Sequence, residues 1–188
     1  MFEVDARPGA LGKFPRMVGI LLGVGIGGFF DGIVLHQLLQ WHHMLSSAGY
    51  PPDTLANLEV DTFWDGLFHS ITFVAVVVGV GLLWSHARRD HRTWSGKMLA
   101  GTLLIGWGVF NLVEGIIDHH VLGLHHVNET VPRAQWLAWD LGFLLWGALM
   151  LALGIYLHRR GEVETPNSRL ASNAHSGTPS RGPSAHAR

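Results

Sequence analysis

Thirteen histidines in a chain without cysteine make imidazole the group whose chemistry has to be explained. The lack of cysteine excludes disulfides, thiolate metal sites, iron–sulfur clusters and cysteine nucleophiles. The histidines are also ordered. Asp31-Gly-Ile-Val-Leu-His36 leads to the pair His42-His43, and Glu114-Gly-Ile-Ile-Asp118-His119 leads to the pair His125-His126. The two segments align without a gap at a spacing of 83 residues, acid on acid and histidine on histidine. On helices turning about 100° per residue, Asp31 and His42 lie within about 20° of each other, as do His36 and His43. The second segment repeats this with Glu114 and His125, and with His119 and His126, while Asp118 joins the Glu114 face. Asp65 and His69 stand four residues apart and share a helix face.

A carboxylate beside an imidazole orients the ring and selects its tautomer, as around many metal ions. Three neutral imidazoles with a carboxylate or water suit copper, iron or zinc. His36, His69 and His119 are the expected direct ligands, with Asp31, Glu114 and Asp118 as ligands or orienting groups. His42, His43, His125 and His126 are expected to form an outer capture site or a second metal position. The competing structural reading is that the acids and histidines only bond between helices and hold them together. No serine is paired with a base, so hydrolase chemistry is the least supported. The residues leave open whether the chain is an enzyme.

The elements that must position these groups are four apolar stretches: 17–41, 63–84, 98–124 and 136–157. Each is long enough to cross a hydrocarbon core of about 30 Å. Only 14% of the 188 residues are charged, and 24 Gly and eight Trp fit membrane helices with aromatic ends. A formal net charge of −1 excludes the basic balance of a nucleic-acid binder. The expected fold is therefore all-α: a four-helix transmembrane bundle made by tandem duplication of a two-helix hairpin. Repeat 1 covers about 17–84 and repeat 2 about 98–158. Residues 1–16 form a leader and 159–188 a disordered tail rich in Ser, Pro, Asn, Gly and Arg. Twelve of the thirteen Lys and Arg fall in the leader, the middle loop or the C-terminal segment, with Arg133 as the exception. By the positive-inside rule both termini are cytoplasmic and the paired histidines face outward. Continued as straight helices, the His pairs would sit at the outer boundary, roughly 18 Å above Asp31 and Glu114.

The run Gly27-Gly-Phe-Phe-Asp-Gly-Ile-Val-Leu-His-Gln, with Leu-Gln-Trp-His-His-Met44 and Trp64-Asp-Gly-Leu-Phe-His69, resembles a bacterial family of four-helix membrane proteins of unknown function. The resemblance covers about residues 16–158. It implies a multi-pass protein of the bacterial inner membrane, and an association with respiratory-oxidase assembly that points to copper or haem. It supplies no catalytic residues. The expectation is thus a membrane protein holding copper or iron, less readily zinc, through a His/carboxylate cluster in the outer half of the bundle. The alternatives are a haem-binding electron carrier, a proton- or ion-coupled transporter, and a packing subunit of a respiratory complex. The lipid bilayer is the expected partner, with a homo-oligomer or respiratory complex beyond it and no nucleic acid.

Overall fold

A computed structural model describes residues 14–90 and 94–176. The described chain is helical, and no strand occurs among the described residues. Helix α1 (Arg16–Phe30) runs on into a π-helical stretch, Asp31–Leu38, and α2 spans Leu55–Asp90. Helix α3 (Gly96–Glu114) runs on into a second π-helical stretch, Gly115–Val121. A 3-10 turn at Arg133–Gln135 then leads into α4 (Trp136–Ser176). All four helices are long and apolar enough to cross a membrane, over stretches of 23, 35, 26 and 32 residues.

Helices α1 and α3 form the central pair, with α2 packed on α1 and α4 packed on α3. Small residues allow this. A methyl group added to Gly23 would come 2.1 Å from the Leu103 carbonyl, and one added to Gly106 would come 2.1 Å from the Ile20 carbonyl. The two backbones therefore meet at glycines, as close membrane helix crossings require. These four positions pair at the same spacing of 83 residues. Helix α2 turns Phe63, Ile71, Val74 and Val77 outward. Such an apolar face is a liability in water and is natural against lipid tails.

The end of the bundle away from the histidine pairs is tied by charge. Arg16 pairs with Glu162, and Lys97 pairs with Glu164. Gly161 lies against Met98 and Ser95, leaving no room for a side chain. These contacts hold α4 as far as Glu164, inside the segment where the local composition predicts a disordered tail, and the helix runs on to Ser176. Ionic partners on α1 and α3, far away in sequence, account for the difference up to Glu164. The expected leader up to residue 13 and the tail from residue 177 lie outside the described residues.

Candidate metal centre

Both central helices end in the same way. The π-helical stretches widen the last turns, and such insertions are frequent at functional sites. Leu39 N–H then donates to the Val34 carbonyl, and Leu122 N–H to the Ile117 carbonyl, each at 2.8 Å. Trp41 N–H reaches the Leu35 carbonyl at 2.9 Å, and Leu124 N–H the Asp118 carbonyl at 2.8 Å. Between them Gln40 (φ 49°) and Gly123 (φ 60°) adopt the left-handed conformation. For Gln40 this costs about 1–2 kcal/mol, which glycine does not incur. The helices thus stop at Leu38 and Val121, not at residues 41 and 124. The chain folds back, and the expected separation between acids and His pairs disappears.

That reversal gathers four imidazoles. The ring centroids of His36 and His42 are 4.3 Å apart, those of His119 and His125 4.9 Å, and those of His42 and His125 4.4 Å. All four rings are buried, His36 completely so. His42 Nδ1 donates to the Val127 carbonyl at 2.9 Å, and His125 Nδ1 donates to the Met44 carbonyl at 3.2 Å. A carbonyl only accepts, so each of these rings is protonated at Nδ1; His42 then presents Nε2 as a lone pair, whereas His125 Nε2 is hydrogen-bonded to Glu114 Oε1. His36 Nδ1 is likewise held, at 2.9 Å from Asp65 Oδ1. The Nε2 atoms of His36, His42 and His119 have no hydrogen-bond partner. Asp31 Oδ2 lies 3.0 Å from His36 Nε2, and Glu114 Oε1 lies 2.9 Å from His119 Nε2 and 3.0 Å from His125 Nε2. Two sets of three, His36/His42/His125 and Glu114/His119/His125, bring their ligand atoms within 4.8 Å of one another.

A layer of carboxylates backs this centre. Asp65 on α2 receives His36 Nδ1, His43 Nδ1 at 2.7 Å, Met44 N–H at 2.9 Å and Gln37 Nε2 at 3.1 Å. Asp140 on α4 receives His126 Nδ1 at 2.7 Å and Val127 N–H at 3.0 Å, with His119 Nδ1 farther away at 3.7 Å. Both aspartates are 1% exposed. Asp65 fixes His36, whose other nitrogen faces the centre, the arrangement that orients metal-ligating histidines, while Asp140 stands behind His119 without a hydrogen bond to it.

The family described as Predicted membrane protein (DUF2243) matches residues 18–161. The chain belongs to this family. The DUF2243 match encloses every residue of the cluster. No curated protein and no solved structure matches the chain.

Within this DUF2243 chain the structure sorts the expected site residues into three groups. Asp31, His36, Glu114 and His119 come together at the centre. His42 and His125 join them there instead of standing at an outer boundary, because the chain reverses after Leu38 and Val121. His43 and His126 turn away and bind Asp65 and Asp140. His69 belongs to neither set of three: its Nδ1 donates to the Asp65 carbonyl at 2.8 Å, and its ring covers Gly32. Asp118 is half-buried beside Glu114 and also belongs to neither set. The residues missing from the expected site are Asp65 and Asp140. Their signal is the recurring Trp-Asp pair, Trp64-Asp65 and Trp139-Asp140, which stands once on each second helix.

Electrostatics separate the two loop histidines. Burial and the neighbouring His125 and His36 push the His42 ring well below its ordinary pKa, which favours the neutral, ligating form. Burial also works against charging His125, yet the hydrogen bond it donates to the Glu114 carboxylate raises its pKa. The carboxylate therefore holds a positive group at this ring, a place that a metal cation can take in exchange for the proton.

Proposed function

We propose that this membrane protein binds metal through His36, His42, His119 and His125 with Asp31 and Glu114. The observation that carries the reading is the set of buried Nε2 atoms of His36, His42 and His119 without hydrogen-bond partners, the first two on rings whose Nδ1 is held from behind. Burying such groups near a membrane is expensive unless they are paired or bind a cation. Nitrogen donors with two carboxylates suit copper or iron. The lysine and arginine distribution supports an outward-facing centre with cytoplasmic termini, and the matched turns support an origin of the two halves by duplication. A respiratory complex or a second copy of the chain is the natural partner for the exposed apolar faces.

The four rings pack closely, and no pair faces the other across a slot wide enough for a porphyrin, which favours a bare ion over haem. One further reading has its own observation. Asp31, His36, Asp65 and His43 form an unbroken series of acid–imidazole contacts of 3.0, 2.9 and 2.7 Å, suited to moving protons.

The test is metal analysis with a visible spectrum on detergent-purified protein, expressed with copper, iron, zinc and haem available. Stoichiometric copper or iron is expected, and it should disappear in a folded His36→Ala/His119→Ala double variant. Metal content unchanged in that variant removes the reading. A metal-free wild type with pH-driven flux in liposomes replaces it with the proton relay.

A further inference from the structure

We infer that the centre holds two metal ions, one for each half, a conclusion that rests on the metal-binding reading above. The deciding geometry is the relation between His42 and His125. Their rings are stacked, with centroids 4.4 Å apart and planes only 1° from parallel. The lone pair of an imidazole nitrogen lies in the plane of its ring, so a well-bound ion lies in that plane too. Two parallel planes that are stacked have no point in common. One ion therefore cannot sit in the plane of both rings, although their ligand atoms are near enough on distance alone.

The other rings point to how the donors divide. His36 meets His42 edge-on, at 70° with centroids 4.3 Å apart, and His119 meets His125 edge-on, at 74° and 4.9 Å. Steeply crossed planes do intersect, so each of these pairs can converge on one ion; His36 with His125 and His42 with His119 cross as steeply, at 71° and 75°, but stand farther apart, at 5.7 and 6.3 Å. The carboxylates follow the same division: Asp31 stands at His36 Nε2, and Glu114 stands at His119 Nε2 and His125 Nε2. The second position is thus His119, His125 and Glu114, whose ligand atoms come within 4.8 Å of one another; the first is the His36–His42 pair, with Asp31 at His36 Nε2. The stacked pair forms the wall between them.

The two positions are not equivalent. Glutamate is one methylene longer than aspartate, and Glu114 reaches both rings of its half. Asp31 reaches His36 only, and His42 Nε2 has no hydrogen-bond partner. The second position is therefore drawn together before any ion arrives, while the first keeps one ring free. Filling should proceed in two steps of different affinity.

The experiment titrates metal-stripped, detergent-purified full-length protein with copper(II) alone and, separately under anaerobic conditions, with iron(II) alone. Bound metal per folded chain is then counted after removal of excess ion. Two ions per chain are expected, bound in two resolved steps, with His42→Ala and His125→Ala each reducing the count to one. A wild-type count of one overturns the two-ion inference and leaves the metal-binding reading standing. A count of zero overturns both. The wild-type count needs no variant to fold. Size-exclusion profiles matching the wild type qualify each variant before its count is used.

Discussion

The two halves of the bundle build the same turn but hold their outer helices by different means. In the second half, α3 and α4 meet through small residues. A methyl group added to Gly108 would come 2.6 Å from both Gly147 O and Leu151 N, and one added to Gly101 would meet the backbone at His158 and Gly154. In the first half the equivalents of Gly147 and Leu151 are Thr72 and Val76. The matching methyl on Gly25 would come 2.7 Å from a Val76 side-chain carbon and no closer than 3.1 Å to backbone. The α2 span is accordingly only 11% buried, against 28% for α4. What α2 lacks in backbone contact it gains at the site, where Asp65 accepts four hydrogen bonds and Asp140 accepts two. The contrast shows polar groups at the centre doing for one hairpin what close packing does for the other.

The largest effect should therefore come from Asp65. Replacing it by alanine strands two buried imidazoles and the Met44 N–H, and removing one partner of such a network costs about 3–5 kcal/mol. Asp140→Ala strands fewer donors in a half held by its glycines, and about 2 kcal/mol is expected from its charge-assisted bonds. Thermal unfolding in detergent, without metal, compares the two. An Asp140→Ala loss equal to or larger than that of Asp65→Ala would break the contrast.

The four spans were readable because each presents an apolar run long enough for a membrane, and no tertiary detail is needed to see that. The pairing of Asp31, His36 and His42-His43 with Glu114, His119 and His125-His126 was equally visible. The reversal of the chain was not. Nothing in Leu38-Leu39-Gln40-Trp41 announces a π-helical stretch and a left-handed glutamine, whereas Gly123 does offer a stopping signal at the matching place. A straight helix therefore placed His42 and His125 too far from the acids. Asp65 and Asp140 stood in a recurring motif, but their role depends on which histidines the loops return to them. The extension of α4 was hidden for a similar reason, since Glu162 and Glu164 find their cations on other helices.

An intermediate effect should separate the two packing modes directly. Gly108→Ala drives a methyl into backbone on both sides, where nothing can turn aside, and overpacking of this kind costs about 1–3 kcal/mol. Gly25→Ala first meets a valine methyl carbon, which can shift by a rotamer change. Unfolding midpoints should therefore fall further for Gly108→Ala than for Gly25→Ala. Equal losses would mean that α2 is held as tightly as α4, and the polar anchor at Asp65 would lose its special role.

The smallest effect concerns a place where the halves differ by an open space. A cleft of about 440 Å³ runs between the end of α1 and α4, lined by Phe30, Trp41, Ala138, Trp139, Gly142 and Trp146 among others. On α2 the positions matching Ala138 and Gly142 are Phe63 and Leu67, both larger side chains. A methyl added at Gly142 meets nothing within 4 Å. Gly142→Leu thus makes the second half resemble the first, and helix propensity favours it over glycine by about 0.5–1 kcal/mol. Stability should stay level or rise slightly, with metal content unchanged, because Leu35, Val127 and Phe143 stand between the cleft and the four imidazoles. If filling the cleft slows metal uptake while leaving the final count intact, then the difference between the halves is one of access, and the cleft is the way in.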